Sequence, residues 1–336
     1  MQIKFGKRGT FMCTCITYQG QDFYFGRNLD LEYSFGEKVV ITPRNYEFCF
    51  GGWEKIEHHY AMIGMAAVME DYPLYAEAVN EKGLGMAGLN FPGNAFYQEK
   101  KEGLYNISPF ELIPWILTKC ASASEAEMLL KKTNIVNIPF REDVPLAPLH
   151  WMIADKEKCI VLEAVEEGMK IYENPYGVLT NNPTFEYHRV NMANYLNLMA
   201  GYPKCRFAKG MDLEVYGQGM GAIGLPGDVS PASRFVRAAF LKGNSESEKG
   251  EMASVTQFFH ILDGVGMVKG SVMTREGKQD FTRYSCCVNG EKGIYYYKTY
   301  ENNQICAVKM QKENLEQKQL ISYEVMRKQS ICYLND

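Results

Sequence analysis

Cys13 is the residue most able to do chemistry, because it directly follows a methionine, in Met-Cys-Thr-Cys-Ile-Thr-Tyr at 12–18. If Met12 is removed, one residue carries both a thiol and a free α-amine. An α-amine has a pKa of about 8, against roughly 10.4 for lysine, so it can act as a base near neutral pH. A thiol needs such a base, or a nearby cation, to become a nucleophilic thiolate. Tyr-Phe-Gly-Arg-Asn-Leu-Asp follows at 24–30 and offers a cation, Arg27, and an acceptor for the amine, Asp30. Taken alone, these residues admit plainer roles. A cysteine near a strand start is usually a small buried hydrophobe, and an Arg-x-x-Asp pair is usually a surface ion pair.

The elements that position these groups read as a hairpin. Thr14, Ile16, Tyr18 and then Phe23, Tyr24, Phe25 are β-branched or aromatic, and Gln-Gly-Gln-Asp at 19–22 is turn chemistry. Alternation along the second strand sends Arg27 and Asp30 to opposite faces. Both reach Cys13 only if that strand bends or ends near Asn28.

Several blocks of the chain resemble the choloylglycine hydrolases, N-terminal-nucleophile amidases that act on bile salts and have penicillin V acylases as near relatives. The likeness begins with Met-Cys-Thr, Phe-Gly-Arg-Asn-Leu-Asp and Ile-Thr-Pro-Arg at 41–44. It continues through Asn-Glu-Lys-Gly-Leu-Gly-Met-Ala-Gly-Leu-Asn-Phe-Pro-Gly at 80–93 and Leu-His-Trp-Met-Ile at 149–153. Gly-Val-Leu-Thr-Asn-Asn-Pro-Thr-Phe at 177–185 and Gly-Leu-Pro-Gly-Asp-Val-Ser-Pro-Ala-Ser-Arg-Phe at 224–235 extend it, and Gly-Ile-Tyr-Tyr-Tyr-Lys-Thr-Tyr-Glu-Asn-Asn-Gln at 293–304 closes it. The order and length of these blocks make the resemblance specific, and it covers nearly all of the chain from Met12 onward.

The resemblance implies a four-layer αββα sandwich and catalysis without cofactor or metal. It implies hydrolysis of the amide joining a bile acid to glycine or taurine, through a thioester on Cys13. It makes Asn90 a side-chain donor to the oxyanion, where the local sequence alone suggests a turn asparagine. It makes Asn181 a holder of nucleophile and substrate, where the local reading is a helix cap or loop residue. It puts Arg234 in the active site beside Arg27. An arginine in the first turn of a helix is disfavoured by the helix dipole, which hints at another task. Relatives are homotetramers, so the same assembly is expected. Segments 31–38, 66–72 and 135–143 correspond to loops around the substrate. A penicillin V acylase, or a non-catalytic steroid-binding protein if residues 1–12 stay attached, are the alternatives.

Composition is consistent with this. The 336 residues are 46% hydrophobic and 23% charged, ordinary values for a globular chain with ample core. The net charge of −4, without a basic cluster, argues against nucleic acid. Ten scattered cysteines with no Cys-x-x-Cys, and no histidine at metal spacing, suit a reducing cytosol better than a disulfide or zinc framework. The basic stretch 1–11 has no apolar run, and no later stretch reaches about 18 apolar residues, so neither a secretory signal nor membrane insertion is expected. The expectation is a bacterial cytoplasmic enzyme, with residues 1–12 removed or not natively translated and 13–336 forming a single catalytic domain.

Bottom-up, the remaining chain reads as strand-rich α+β. Strands are expected at 39–42, 60–68, 84–89, 150–154, 159–165, 169–173, 178–180, 294–300 and 305–310. Helices are expected at 72–80, from Ser108 to about 120, from Ser122 to about 132, and at 183–200, 230–243 and 252–263. The Ser108/Glu111 and Ser122/Glu125 pairs are capping-box patterns. His58 and His59 fall in a polar loop. His150 and His260 lie on apolar elements as satisfied core histidines, so no rival triad emerges.

Overall fold

The computed structural model describes residues 12–335. The expected removal of the leader concerns residues 1–11, which lie outside the described residues, and Met12. Elements are numbered in chain order. Two antiparallel sheets form the centre. The first runs β14 (Val178–Leu179), β1 (Met12–Gln19), β2 (Phe23–Leu31), β16 (Gln279–Asn289), β17 (Ile294–Thr299) and β18 (Asn302–Lys309), with β15 (Val272–Met273) beside β16. The second runs β13 (Gly168–Glu173), β12 (Cys159–Val165), β11 (Leu149–Ala154), β8 (Gly85–Asn90), β7 (Tyr72–Asn80), β6 (Met62–Met69), β3 (Lys38–Thr42) and β19 (Ile321–Glu324). Two short ribbons, β4 (Phe48–Phe50) with β5 (Glu54–Ile56) and β9 (Tyr105–Ile107) with β10 (Thr133–Ile135), stand apart.

Helices α4 (Pro231–Gly243) and α5 (Glu251–Asp263) cover the outer face of the first sheet. Helices α1 (Leu112–Lys119) and α2 (Ala123–Leu130) cover that of the second. The short α3 (Phe185–Asn191) leans on α4. This is the four-layer αββα sandwich. One apolar cluster fills the space between the sheets and under α4 and α5, including Ile16, Phe25, Ile63, Leu89 and Phe258. A second lies between the other sheet and α1–α2, around Trp115, Trp151 and Met86. Burial on both faces explains why the central strands read as nearly continuous apolar runs rather than clean alternations.

Four local expectations are corrected. Segment 72–80 is the strand β7, not a helix. Ala76 and Glu77 favour helices, but the stretch is clamped between β6 and β8, and pairing on both sides overrides a propensity difference of well under 1 kcal/mol per residue. The helix expected from Ser108 begins at Leu112. Glu111 carries only half the box, its carboxylate accepting the Ser108 and Gly51 N–H groups. The helix expected over 183–200 is α3 plus one 3-10 turn at Met192–Tyr195, because the residues beyond expose most of their surface and nothing packs to extend it. His260 is solvent-exposed on α5 rather than in the core. His150 is fully buried, as expected, with Nε2 3.0 Å from the Thr180 carbonyl oxygen. Ser122 caps α2 as expected, its hydroxyl accepting Glu125 N–H at 3.2 Å.

Candidate active site

The hairpin β1–β2 brings Cys13 opposite Leu29 and Cys15 opposite Arg27. Directly paired residues share a face, so Cys13, Cys15, Arg27 and Leu29 all point between the sheets. Met12 pairs with Asp30 and Thr14 with Asn28, which places Asp30 on the helix-covered face. The strand does not end or break near Asn28, contrary to the condition drawn from alternation. It runs unbroken from Phe23 to Leu31. Arg27 and Asp30 both act on Cys13, because Cys13 stands at the start of β1 and is approached from both faces of the sheet. The irregularity lies on the neighbouring strand, where a bulge at Arg283 shifts the β16 register opposite Leu29 and Asp30.

All six residues singled out from sequence are at most 3% exposed at this one place. Cys13 N–H donates to Asn181 Oδ1 at 2.7 Å. Asn181 Nδ2 donates to the Asn90 carbonyl oxygen at 2.8 Å, across to the end of β8 in the other sheet. Arg234, in the first turn of α4, donates from Nη2 to Asn181 Oδ1 at 2.8 Å and from Nη1 to Thr14 Oγ1 at 2.6 Å. Its Nη1 also donates to the Cys13 carbonyl oxygen, and its Nε to that of Val229. The side chain points back over the helix start onto β1, which answers why a cation sits at the unfavourable end of the dipole. Asp30 Oδ1 accepts from Thr282 Oγ1 at 2.6 Å, while its Oδ2 has no partner among the described residues.

The electrostatics follow from burial. Desolvation pushes the Cys13 thiol up, opposed by Arg27, Arg234 and a hydrogen bond from the Asn90 backbone. Burial raises Asp30 to about 6 against the pull of Arg234, Thr282 and Arg27. Arg27 stays firmly charged: burial works against the cation, and Cys13, Tyr284 and Glu77 outweigh it. Asp280, on the same face as Asp30 and two residues from Thr282, is raised to about 7 by burial and by Asp30 and Glu32.

Cys13, Arg27 and Asn90 line a cavity of about 1090 Å³, at the generous end of small-molecule sites. Leu31, Tyr33 and Phe35 come from the 31–38 segment, Ala67 from 66–72, and Phe140 from 135–143. These are the three segments expected to surround a ligand. No group of three or more metal-ligating side chains occurs among the described residues.

Some contributors escaped the sequence reading. His188 Nε2 lies 2.9 Å from the Asn181 carbonyl oxygen, and His150 holds the preceding carbonyl, so two buried histidines brace the Thr180–Asn181 backbone. Burial lowers His188 to about 4, which keeps it neutral. Thr282 and Glu77 were also missed. Glu77 carries a visible signal, a lone acid in an otherwise apolar run, but local propensity reads that run as a helix.

Comparison with known proteins identifies the family and the fold. The family described as linear amide C–N hydrolases, choloylglycine hydrolase family, matches residues 13–323. The chain is similar to a bile salt hydrolase/transferase of Lactiplantibacillus plantarum, 52% identical over 312 residues, covering 93% of this chain and 96% of the relative. It is similar to another of Clostridium perfringens, 43% identical, covering 96% of this chain and 100% of the relative. The structure superposes on a mutant conjugated bile acid hydrolase from Clostridium perfringens with a TM-score of 0.88 and 41% identity, over 96% of this chain and 100% of that one. A penicillin V acylase from Agrobacterium tumefaciens, at 20% identity and a TM-score of 0.74, shares the fold. With its fold, its buried cysteine cluster and a match over nearly its whole length, the chain belongs to the choloylglycine hydrolase family of linear amide C–N hydrolases.

Proposed function

We propose that this enzyme hydrolyses the amide between a bile acid and glycine or taurine, with Cys13 as an N-terminal nucleophile. The observation that carries the reading is the convergence of Arg27, Asp30, Asn90, Asn181 and Arg234 on Cys13, which lines a large, mainly apolar cavity. A peptide nitrogen cannot serve as a base, so the active chain begins at Cys13. The freed amine takes the place of the Cys13 N–H and keeps Asn181 Oδ1 as acceptor, and the unpartnered Asp30 Oδ2 supplies a second.

The amine accepts the thiol proton, and the thiolate attacks the substrate carbonyl carbon. Arg27 and Arg234 favour the thiolate over the thiol. The Asn90 side chain, with a backbone N–H, holds the oxyanion; one such donor contributes about 3 kcal/mol. On collapse the C–N bond breaks, and the ammonium of Cys13 returns its proton to the leaving glycine or taurine nitrogen. Water, deprotonated by the same amine, then cleaves the thioester and releases the free bile acid. The two most similar relatives described above are named hydrolase/transferase, which suits capture of the same thioester by an amino acid in place of water.

The family match over 13–323 supports reading 13–336 as one catalytic domain. The homotetramer is read from the family resemblance, and the 196–223 segment, where Leu196, Phe207 and Tyr216 are more than three-quarters exposed, offers an apolar surface for subunit contact. Bacterial relatives, and the lack among the described residues of a helix able to cross a membrane, are consistent with a cytoplasmic site of action.

The test is intact mass together with turnover. An active preparation has the mass of a chain starting at Cys13 and releases glycine or taurine from conjugated bile acids faster than it cleaves a phenoxyacetyl amide. Cys13→Ser keeps the fold and loses nearly all turnover. Full activity in a chain that retains Met12 would sink the mechanism, as would wild-type turnover in Cys13→Ser.

A further inference from the structure

We propose that Glu77 is a positioning residue of this reaction: it fixes the Arg27 guanidinium beneath Cys13 and balances its charge, so that Arg27 activates the thiol only to a set degree. The proposal rests on the reading of Cys13 as nucleophile.

The argument begins with the backbone. The β6–β7 register slips between Met65 and Ala66, where Glu77 opposes Met65 and Tyr75 opposes Ala66, leaving Ala76 as an extra residue. A bulge of this kind turns two consecutive residues toward one face and frees a carbonyl from the ladder. Ala76 and Glu77 both face the first sheet. The freed Ala76 carbonyl oxygen accepts Arg27 Nη1 at 3.1 Å, and the Gly88 carbonyl oxygen accepts the same nitrogen at 2.6 Å. Glu77 Oε2 lies 3.8 Å from that nitrogen. The ion pair is dry, with side-chain exposures of 1% and 0%.

Glu77 is itself held from the opposite sheet. Tyr284 donates its hydroxyl to Oε2 at 2.8 Å and Tyr295 donates to Oε1 at 2.7 Å, and Cys286 Sγ approaches Oε1 at 3.5 Å. Burial works to raise Glu77, opposed by Arg27 and by these donors. A buried carboxylate accepting two hydroxyls beside a guanidinium is a satisfied anion, and replacing it by an apolar side chain would strand all three partners. The titratable groups facing it are Arg27 from β2, Cys15 from β1, Tyr284 and Cys286 from β16, and Tyr295 from β17. Asp30 and Arg234 complete the charges around the thiol. Burial pushes the Cys13 thiol up and Arg27 pulls it down, so a counter-charge on Arg27 limits how far that pull reaches. Glu77 supplies that counter-charge from the side of Arg27 away from substrate.

Glu77→Gln keeps the shape and removes the charge. The thiol then feels the full field of Arg27, and its ionisation moves to lower pH. The readout is the rate of Cys13 alkylation by iodoacetamide against pH, with peptide mapping of the label and a thermal melt alongside. The expected result is a midpoint about 0.5–1 pH unit below wild type, smaller than the 1–3 units of a directly adjacent charge, with kcat reduced and KM little changed. Tyr295→Phe, which removes one donor and favours neutral Glu77, shifts the midpoint the same way by less, and reads the proposal if Glu77→Gln fails to fold. If the label lies on Cys13 and the midpoint stays within 0.2 unit of wild type in the folded variants, Glu77 is merely structural and the proposal is overturned. If the label that abolishes activity lies on another residue, the Cys13 reading fails first and takes this one with it.

Discussion

Asn181→Leu tests the active-site geometry most directly, because Asn181 ties three elements together with one amide. Its Oδ1 accepts Cys13 N–H and Arg234 Nη2, and its Nδ2 donates to the Asn90 carbonyl oxygen. Leucine keeps the branching at Cγ, although it is bulkier, and offers none of these bonds. The substitution therefore leaves a buried donor on β1, a buried guanidinium N–H on α4 and a buried carbonyl at the end of β8. Each stranded group costs about 1–3 kcal/mol, and partial relaxation brings the sum to roughly 3–6 kcal/mol. For a chain of this size that is a fall in Tm of about 5–10 °C. The effect on rate comes through Asn90, whose position relative to Cys13 is set by the lost bond. Misplacing one oxyanion donor costs roughly 10²–10³ in kcat. The assay is release of glycine from a glycine-conjugated bile acid at saturating substrate, paired with a melt of the same sample. A variant that stays within threefold of wild-type kcat and melts within about 1 °C would refute the view that Asn181 couples the two sheets at the nucleophile.

Two further outcomes follow from burial and charge. Cys15→Ala retains activity and loses about 1 kcal/mol of stability at most, since Cys15 is fully buried, desolvation pushes its thiol well up, and it can never carry the α-amine. A thiol alkylator should inactivate wild type and Cys15→Ala alike; protection of Cys15→Ala would reassign the two cysteines. Asp280→Asn should stabilise the protein increasingly as pH rises from about 4 to 7. An acid raised to about 7 binds its proton more tightly folded than unfolded, so wild type loses stability as pH climbs through that window, while the amide does not. Denaturant unfolding at pH 4, 5.5 and 7 checks this. The gain at pH 7 is on the order of 2–4 kcal/mol, and a pH-independent difference would show that Asp280 is ionised without penalty.

Much of the site was visible in the residues themselves, for reasons that differ by element. The hairpin was legible because its turn residues and β-branched runs are local signals, and the strands lie at 12–19 and 23–31. The α4 start was legible because Ser-Pro is local chemistry, and Arg234 stood out as a cation at the wrong end of a helix. Asn90 and Asn181 were not legible from local pattern, which favoured a turn and a cap. They were named through resemblance, and the structure places both against Cys13 by way of Asn181.

What failed was whatever depends on a partner distant in sequence. Segment 72–80 carries helix-forming alanines and a glutamate, and only pairing with β6 and β8 makes it a strand. Its bulge, the carbonyl that bulge frees and the aim of Glu77 have no local signature at all. Alternation correctly put Arg27 and Asp30 on opposite faces, but it could not say that a nucleophile at a strand start is reached from both.

The sequence by itself determined the inventory: one cysteine poised to become an N-terminus, the cations and amides that suit it, and strands patterned for burial. The tertiary structure alone decided which groups share a dielectric. Arg27 and Glu77 are 50 residues apart in number and 3.8 Å apart in space. Neither its charge state nor its effect on Cys13 is a property of either residue, because burial sets the strength of every charge interaction at this site.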